Sequence, residues 1–254
     1  MLKRITRKDL FEAASVLTGL LIISWIILAA DLDILLQQRL FDQDGEWVYG
    51  DALFWKFLYD HGPKPGLILG IGGLLIFLLS FGVRALRRYR RQTLFLALVL
   101  VFGAGLAVEA LKGVTSRPRP RHIEAFQGEQ EFVPVLSIKK PGSGDPVSAK
   151  EKVFIMVQRL VENKARYSFP SGHAAIAFYL IAPFFIFRER RKTLAAFFLV
   201  GGLGFGLLVG CARMAQGGHF PSDVIWAGGV IYLSSWFFHH LVNVRGSQGL
   251  KLEA

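Results

Sequence analysis

The chain is 254 residues long, 52% hydrophobic and carries a formal net charge of +11, with a mean hydropathy of +0.41. That is too apolar for an ordinary soluble domain, and the excess of bases points to anionic lipid, an anionic substrate, or both. A single cysteine, Cys211, excludes an intramolecular disulfide and any cysteine-rich metal site; it lies in an apolar run and reads as core packing.

A bilayer core takes about 20 apolar residues per helix. Stretches that qualify lie at residues 10–30, 65–83, 93–111, 174–187, 194–212 and 224–242, the fourth being short unless it takes in the turn at 171–173. The first reads as a retained span and not a cleaved leader, because its apolar core is too long and Leu28 stands where a cleavage site needs a small residue. Short loops give the orientation. Lys3, Arg4, Arg7 and Lys8 precede the first span, Arg84, Arg87, Arg88, Arg90 and Arg91 follow the second, and Arg188, Arg190, Arg191 and Lys192 follow the fourth. With six spans these loops share one side, and the positive-inside rule makes that side cytoplasmic. Segments 31–64, 112–170 and 213–223 then face outward.

Two outer stretches suit the membrane surface. Between the first two spans, Trp47, Tyr49, Trp55 and Tyr59 fit the headgroup zone. Further on, Val153, Met156, Val157, Leu160 and Val161 share one helical face, away from Arg159, Glu162 and Lys164. Packing against the outer loops is the alternative for each. In the fifth span, Gly202, Gly206 and Gly210 recur every fourth residue, a ridge for close helix packing. The expectation is an all-α integral membrane protein with six transmembrane helices, short interfacial helices on the outer side, and a single domain over residues 1–254.

Three polar clusters stand at span boundaries on the outer side. Lys112, Arg117, Arg119 and Arg121 crowd the exit of the third span. The sequence "SFPSGH", ending at His173, opens the fourth. Arg213, His219 and Asp223 lie between the fifth and sixth. Each has a plainer explanation alone: Lys112 snorkelling or pairing with Glu109, Arg-Pro repeats as a stiff loop on lipid headgroups, Ser171 as an N-cap, and Pro221 with Asp223 as an ordinary helix start. Chance does not easily gather all of them on one side of a membrane.

Together they fit phosphoryl transfer, in which catalysis is mostly positioning and electrostatic stabilisation. Lys112, Arg119 and Arg213 supply charge and donors matched to phosphate. Backbone N–H groups of Ser171, Gly172 and His173 at a helix start can bind a further oxygen. One histidine can attack phosphorus as the neutral imidazole while the other, protonated, serves the leaving oxygen. Asp223, four residues beyond His219, can hold the nucleophile's second nitrogen. That makes His219 the nucleophile and His173 the acid.

In order and spacing these clusters resemble the motifs of the type 2 phosphatidic acid phosphatase (PAP2) superfamily. K-x6-R-P is met by Lys112 and Arg119-Pro120. P-S-G-H is met by Pro170, Ser171, Gly172 and His173. S-R-x5-H-x3-D is met by Arg213, His219 and Asp223, with Ala212 in place of the usual serine. The resemblance implies a phosphohistidine on His219, His173 as general acid, phosphate binding by Lys112, Arg119, Ser171, Gly172 and Arg213, and no metal or other cofactor. It implies a membrane lipid-phosphate phosphatase of the bacterial inner membrane, acting at its outer face on an anionic phosphorylated lipid, with no nucleic-acid partner. Phosphatidylglycerol phosphate, phosphatidic acid, undecaprenyl diphosphate and lipid A phosphate are the candidate substrates. A lipid phosphotransferase with the same intermediate, and a non-catalytic lipid-binding or transport protein, are the competing expectations. The residues do not specify an oligomeric state.

Overall fold

A computed structural model describes residues 5–135, 137 and 167–242. The interfacial helix expected over residues 153–164 lies outside the described residues. Those described are helical, apart from connecting loops and three isolated bridges, Phe41 with Trp47, Pro118 with Tyr167 and Ile123 with Gln130.

Helix α1, Arg7–Ala29, starts where Thr6 and Asp9 form a reciprocal cap: the Asp9 N–H donates to the Thr6 hydroxyl, and the Thr6 N–H to the Asp9 carboxylate at 2.9 Å. After α2, Leu32–Gln38, the chain runs through a loop into α3, Leu53–His61, and α4, Lys64–Leu79. These two are consecutive, so the aromatic stretch read as interfacial is in part the N-terminal extension of the second apolar helix. At 27 residues, Leu53–Leu79 is about 40 Å long and overreaches a bilayer core of about 30 Å. Trp47 follows the alternative reading: its ring packs against Phe41 and Phe126, with centroids 5.1 and 5.4 Å away.

The third apolar stretch is composite. Helix α5, Arg90–Leu98, passes into a π-helical stretch, Val99–Ala107, and then into α6, Val108–Thr115. Helix α7, Gly172–Phe178, a 3₁₀ turn at Tyr179–Ile181 and α8, Ala182–Phe187, follow in line, and the Tyr179 hydroxyl donates to the Leu96 carbonyl at 2.7 Å. Helices α9, Lys192–Ala215, and α10, Pro221–Val242, complete the bundle.

Helices α7 and α10 form its centre. Ala174, Phe178, Val224, Ala227 and Ile231 are sealed against Phe95, Val99 and Val108 of the third stretch. The glycine ridge of α9 makes this possible. A Cβ on Gly206 would fall 2.1 Å from the Phe178 ring, one on Gly210 2.2 Å from a Val224 methyl, and one on Gly202 2.8 Å from the Ile181 nitrogen. Cys211 corrects the sequence reading. It is exposed, because it lies one position past the ridge and turns off the packed face.

Among the described residues, four helical stretches are long and apolar enough to cross a membrane: Arg7–Ala29, Leu53–Leu79, Arg84–Thr115 and Lys192–Ala215. The other two expected spans read more weakly for a physical reason. Gly172–Phe187 is short, and α10 carries Ser222, Asp223, Ser235, His239 and His240, all buried. Helices lining the interior of the bundle do not need a lipid-compatible surface all round.

Candidate active site

The three polar clusters meet at one end of α7, α9 and α10, and backbone hydrogen bonds tie each to the others. The Ser168 N–H donates to the Arg117 carbonyl at 2.8 Å, and its hydroxyl to the Pro118 carbonyl at 2.9 Å, joining the first cluster to the second. The Ser171 N–H donates to the Asp223 carbonyl at 3.1 Å, joining the second to the third. The Arg121 N–H donates to the Gly217 carbonyl at 3.1 Å, closing the triangle.

Ser171 is the N-cap of α7, its Oγ accepting from the Ala174 N–H at 3.4 Å. Since its own N–H is spent on Asp223, the donors left to meet an anion are those of Gly172 and His173, which open the first turn. Lys112, on the last turn of α6, is buried and pairs with Glu109 at 2.9 Å, as its plainer explanation required. The same ammonium also lies against the turn that carries His173: a Cβ on Gly172 would sit 3.3 Å from its Nζ. Glycine there keeps the lysine close to the backbone donors.

Arg213 is buried at the end of α9. Its guanidinium bonds the Gln216 side chain, while its Nε has no partner and is sealed from solvent. Arg119 is half-buried, its Nε 3.5 Å from the Tyr167 carbonyl. Burial and the neighbouring Arg121 lower its pKa from the ordinary value. Both histidines lie in the field of Arg119 and Arg213. Burial and then Arg213, Lys112 and Arg119 push His173 down to about 4. Burial pushes His219 down to about 3, against the opposing pull of Asp223. Burial and the surrounding cations thus both favour the neutral form of each imidazole.

The expected contact between His219 and Asp223 is present but open, with Nδ1 and Oδ2 3.6 Å apart. That is ion-pair range and longer than a hydrogen bond, and Nδ1 has no closer partner. The rest of Asp223 is tightly held. Oδ2 accepts from the Phe220 N–H at 2.7 Å and Oδ1 from Arg117 Nη1 at 2.6 Å. Burial alone would raise its pKa, yet Arg117 and His219 hold it below the ordinary carboxylate value.

The structure adds three residues to the sequence reading. Arg117 stood in the first polar cluster of the sequence without an assigned role, and its side chain is buried and fully engaged. It donates to Asp223, to the Ser222 hydroxyl at 2.7 Å, to the Val133 carbonyl at 2.7 Å and to Asp33 at 2.7 Å, with the Phe220 ring 4.3 Å away. Asp33, at the start of α2, also accepts from the Ser222 N–H and hydroxyl. Gln37, one turn later, donates to the His219 carbonyl at 2.8 Å. No spacing rule finds Asp33 or Gln37, since their partners lie 84 to 189 residues away. Tyr59 of α3 also reaches the site, stacked on His173.

Among the described residues no cluster of three or more histidine, cysteine or acidic side chains is arranged to hold a metal ion. The constellation instead offers three cations and helix-start N–H groups around two imidazoles, one of them backed by a buried carboxylate. Such a set can bind a phosphate, attack it and protonate what leaves.

Comparison with known proteins agrees with this chemistry. Residues 92–247 match the model of the PAP2 superfamily. A lipid A 4'-phosphatase from Francisella tularensis subsp. novicida (strain U112) is 34% identical over 158 residues, which cover 61% of this chain and 60% of that relative. No solved structure matches the chain. All three polar clusters fall inside a family match that takes in well over half of the sequence, and the chain belongs to the PAP2 superfamily.

Proposed function

We propose that the chain is a membrane lipid-phosphate phosphatase that works through a phosphohistidine on His219. The observation that carries this reading is the convergence of Lys112, Arg119, His173, Arg213, His219 and Asp223 from three separate segments, cross-tied through backbone hydrogen bonds. Lys112, Arg119, Arg213 and the Gly172 and His173 N–H groups hold the phosphate oxygens. The His219 imidazole attacks phosphorus, the bond to the lipid oxygen breaks, and His173 gives that oxygen its proton. Asp223 steadies the cationic His219 as the bond forms. Water then attacks the phosphohistidine, neutral His173 takes the water's proton, and inorganic phosphate leaves with His219 restored. Lysine and arginine supply the charge stabilisation, so the reaction is proposed to need no metal.

A bound phosphate dianion offsets the three cations around His173 and restores its proton affinity. The depressed pKa of His173 is thus compatible with a role as acid. The related lipid A 4'-phosphatase favours lipid A phosphate among the candidate substrates. We place α7 with α8, and α10, as the fourth and sixth spans of a single membrane domain, with the site on the outer face of the inner membrane.

Purified protein given lipids radiolabelled on phosphate, quenched in milliseconds and peptide-mapped, tests the reading. Lipid A, phosphatidic acid, phosphatidylglycerol phosphate and undecaprenyl diphosphate form the panel. Base-stable, acid-labile label on the His219 peptide, absent in His219→Ala, is the expected result. Label on the His173 peptide or on a serine overturns the assignment, and transfer of label to a second lipid in place of free phosphate makes the protein a phosphotransferase.

A further inference from the structure

Tyr59 belongs to none of the three clusters, yet it touches two of them. The Tyr59 ring lies 4.9 Å from that of His173, centroid to centroid, at an interplanar angle of 11°. The guanidinium carbon of Arg213 lies 4.4 Å from the centroid of the same ring. A single aromatic ring from α3 therefore contacts the proposed acid on α7 and a proposed phosphate ligand on α9. Helix α3 is well seated for this. It packs along α9, and a Cβ on Gly62 at its end would fall 2.5 Å from a Val209 methyl.

The groups around His173 come from four elements: Tyr59 from α3, Lys112 from α6, Arg119 from the segment after α6, and Arg213 from α9. Glu109 neutralises part of the Lys112 charge at 2.9 Å. The three cations oppose a proton on His173. The π face of tyrosine acts in the other direction, because its quadrupole attracts an imidazolium. It also restricts the imidazole to a plane parallel to its own.

Resting on the phosphatase reading, we propose that Tyr59 is a positioning residue for the proton donor, its ring fixing the plane of His173 and favouring the protonated form at the moment the lipid oxygen leaves. The ring does this work, not the hydroxyl.

The test uses the full chain in detergent micelles with lipid A, whose leaving oxygen needs a proton, and with p-nitrophenyl phosphate, whose leaving group needs little. Tyr59→Phe should keep the kcat of wild type within about twofold on both, with an unmoved basic limb. Tyr59→Leu should shift the basic limb of kcat on lipid A to lower pH by about half to one and a half pH units, the size of a cation–π contact. It should slow lipid A more than p-nitrophenyl phosphate. Tyr59→Met, also without a π face, should match Tyr59→Leu and serves in its place if the leucine variant is lost to misfolding. Leucine and methionine variants with an unmoved basic limb, or with both substrates slowed equally, overturn the proposal while leaving the phosphatase reading intact. A phenylalanine variant that behaves like leucine overturns it too. Wild-type protein that releases phosphate from no lipid of the panel overturns both.

Discussion

Removing the Arg117 guanidinium should damage stability and catalysis together, and the structure sets the scale. Its side chain is 1% exposed and holds Asp33 and Asp223, whose side chains are 4% and 0% exposed. Arg117→Met leaves two buried carboxylates with no cation between them and strands the Val133 carbonyl. Breaking a buried pair by deleting one partner costs about 3–5 kcal/mol. At about 2–4 °C per kcal/mol for a chain of this size, the midpoint of thermal inactivation should fall by about 6–20 °C. Asp223, released from Arg117, moves toward its neutral form and stops supporting His219. Turnover of molecules that remain folded should then fall toward the roughly 10⁴-fold loss seen when the carboxylate of a catalytic triad is neutralised. Arg117→Lys keeps the charge but cannot reach all four acceptors, so it should lie between. Adding Asp33→Asn to Arg117→Met removes one stranded anion and should recover about 1–3 kcal/mol relative to additivity. The assays are residual activity after graded heating in detergent and single-turnover phosphate release. Strictly additive effects in this cycle, or an Arg117→Met protein with the midpoint and rate of wild type, would refute the buried-network argument.

Other outcomes follow from the same geometry. On the proposed mechanism His173 must carry a proton to act, so activity is lost as pH rises through its pKa; since substrate phosphate offsets Lys112, Arg119 and Arg213, which together with burial push His173 down to about 4, the basic limb of kcat should lie above that of kcat/KM by on the order of one pH unit or more, and coincident limbs would contradict this. Gly206→Ala should cost about 1–3 kcal/mol by overpacking Phe178, whereas Gly204→Ala, which meets nothing within 4 Å, should leave the thermal midpoint unchanged or slightly raised. In a Cys211→Ser background, Asp44→Cys should react with an impermeant maleimide on spheroplasts and Arg87→Cys only after permeabilisation, the reverse pattern inverting the topology.

What the sequence made legible was whatever leaves a local trace. The three motifs are short, and their residues do converge. The ridge of Gly202, Gly206 and Gly210 has a fixed period, and each of the three glycines faces a buried neighbour. Lys112 and Glu109 are one turn apart and do pair. Burial by long-range partners left no such trace. Asp33 sits in an ordinary apolar run, and only the fold brings it to Arg117, 84 residues away. Tyr59 looked like one more aromatic of a membrane belt because its neighbours in sequence are aromatic. Cys211 looked buried because hydropathy reports that a residue is apolar and not whether it faces protein or lipid. Helix α10 was weak as a span because its polar residues have partners or burial inside the bundle.

The π-helical stretch Val99–Ala107 gives the third span two separate registers. Below it, Leu96 is set against Gly73 of α4; above it, Lys112 is set against Gly172. An α-helix turns about 100° per residue, and a π stretch carries an extra residue in the turn, so the wide segment works as a vernier between a lattice of packing contacts and the proposed phosphate site. Deleting one residue from it would straighten the helix and relieve the irregular hydrogen bonding. The same deletion would change the angle and the rise between Leu96 and Lys112, and with them the seat of the lysine against Gly172. The irregularity is what lets one continuous rod satisfy both ends.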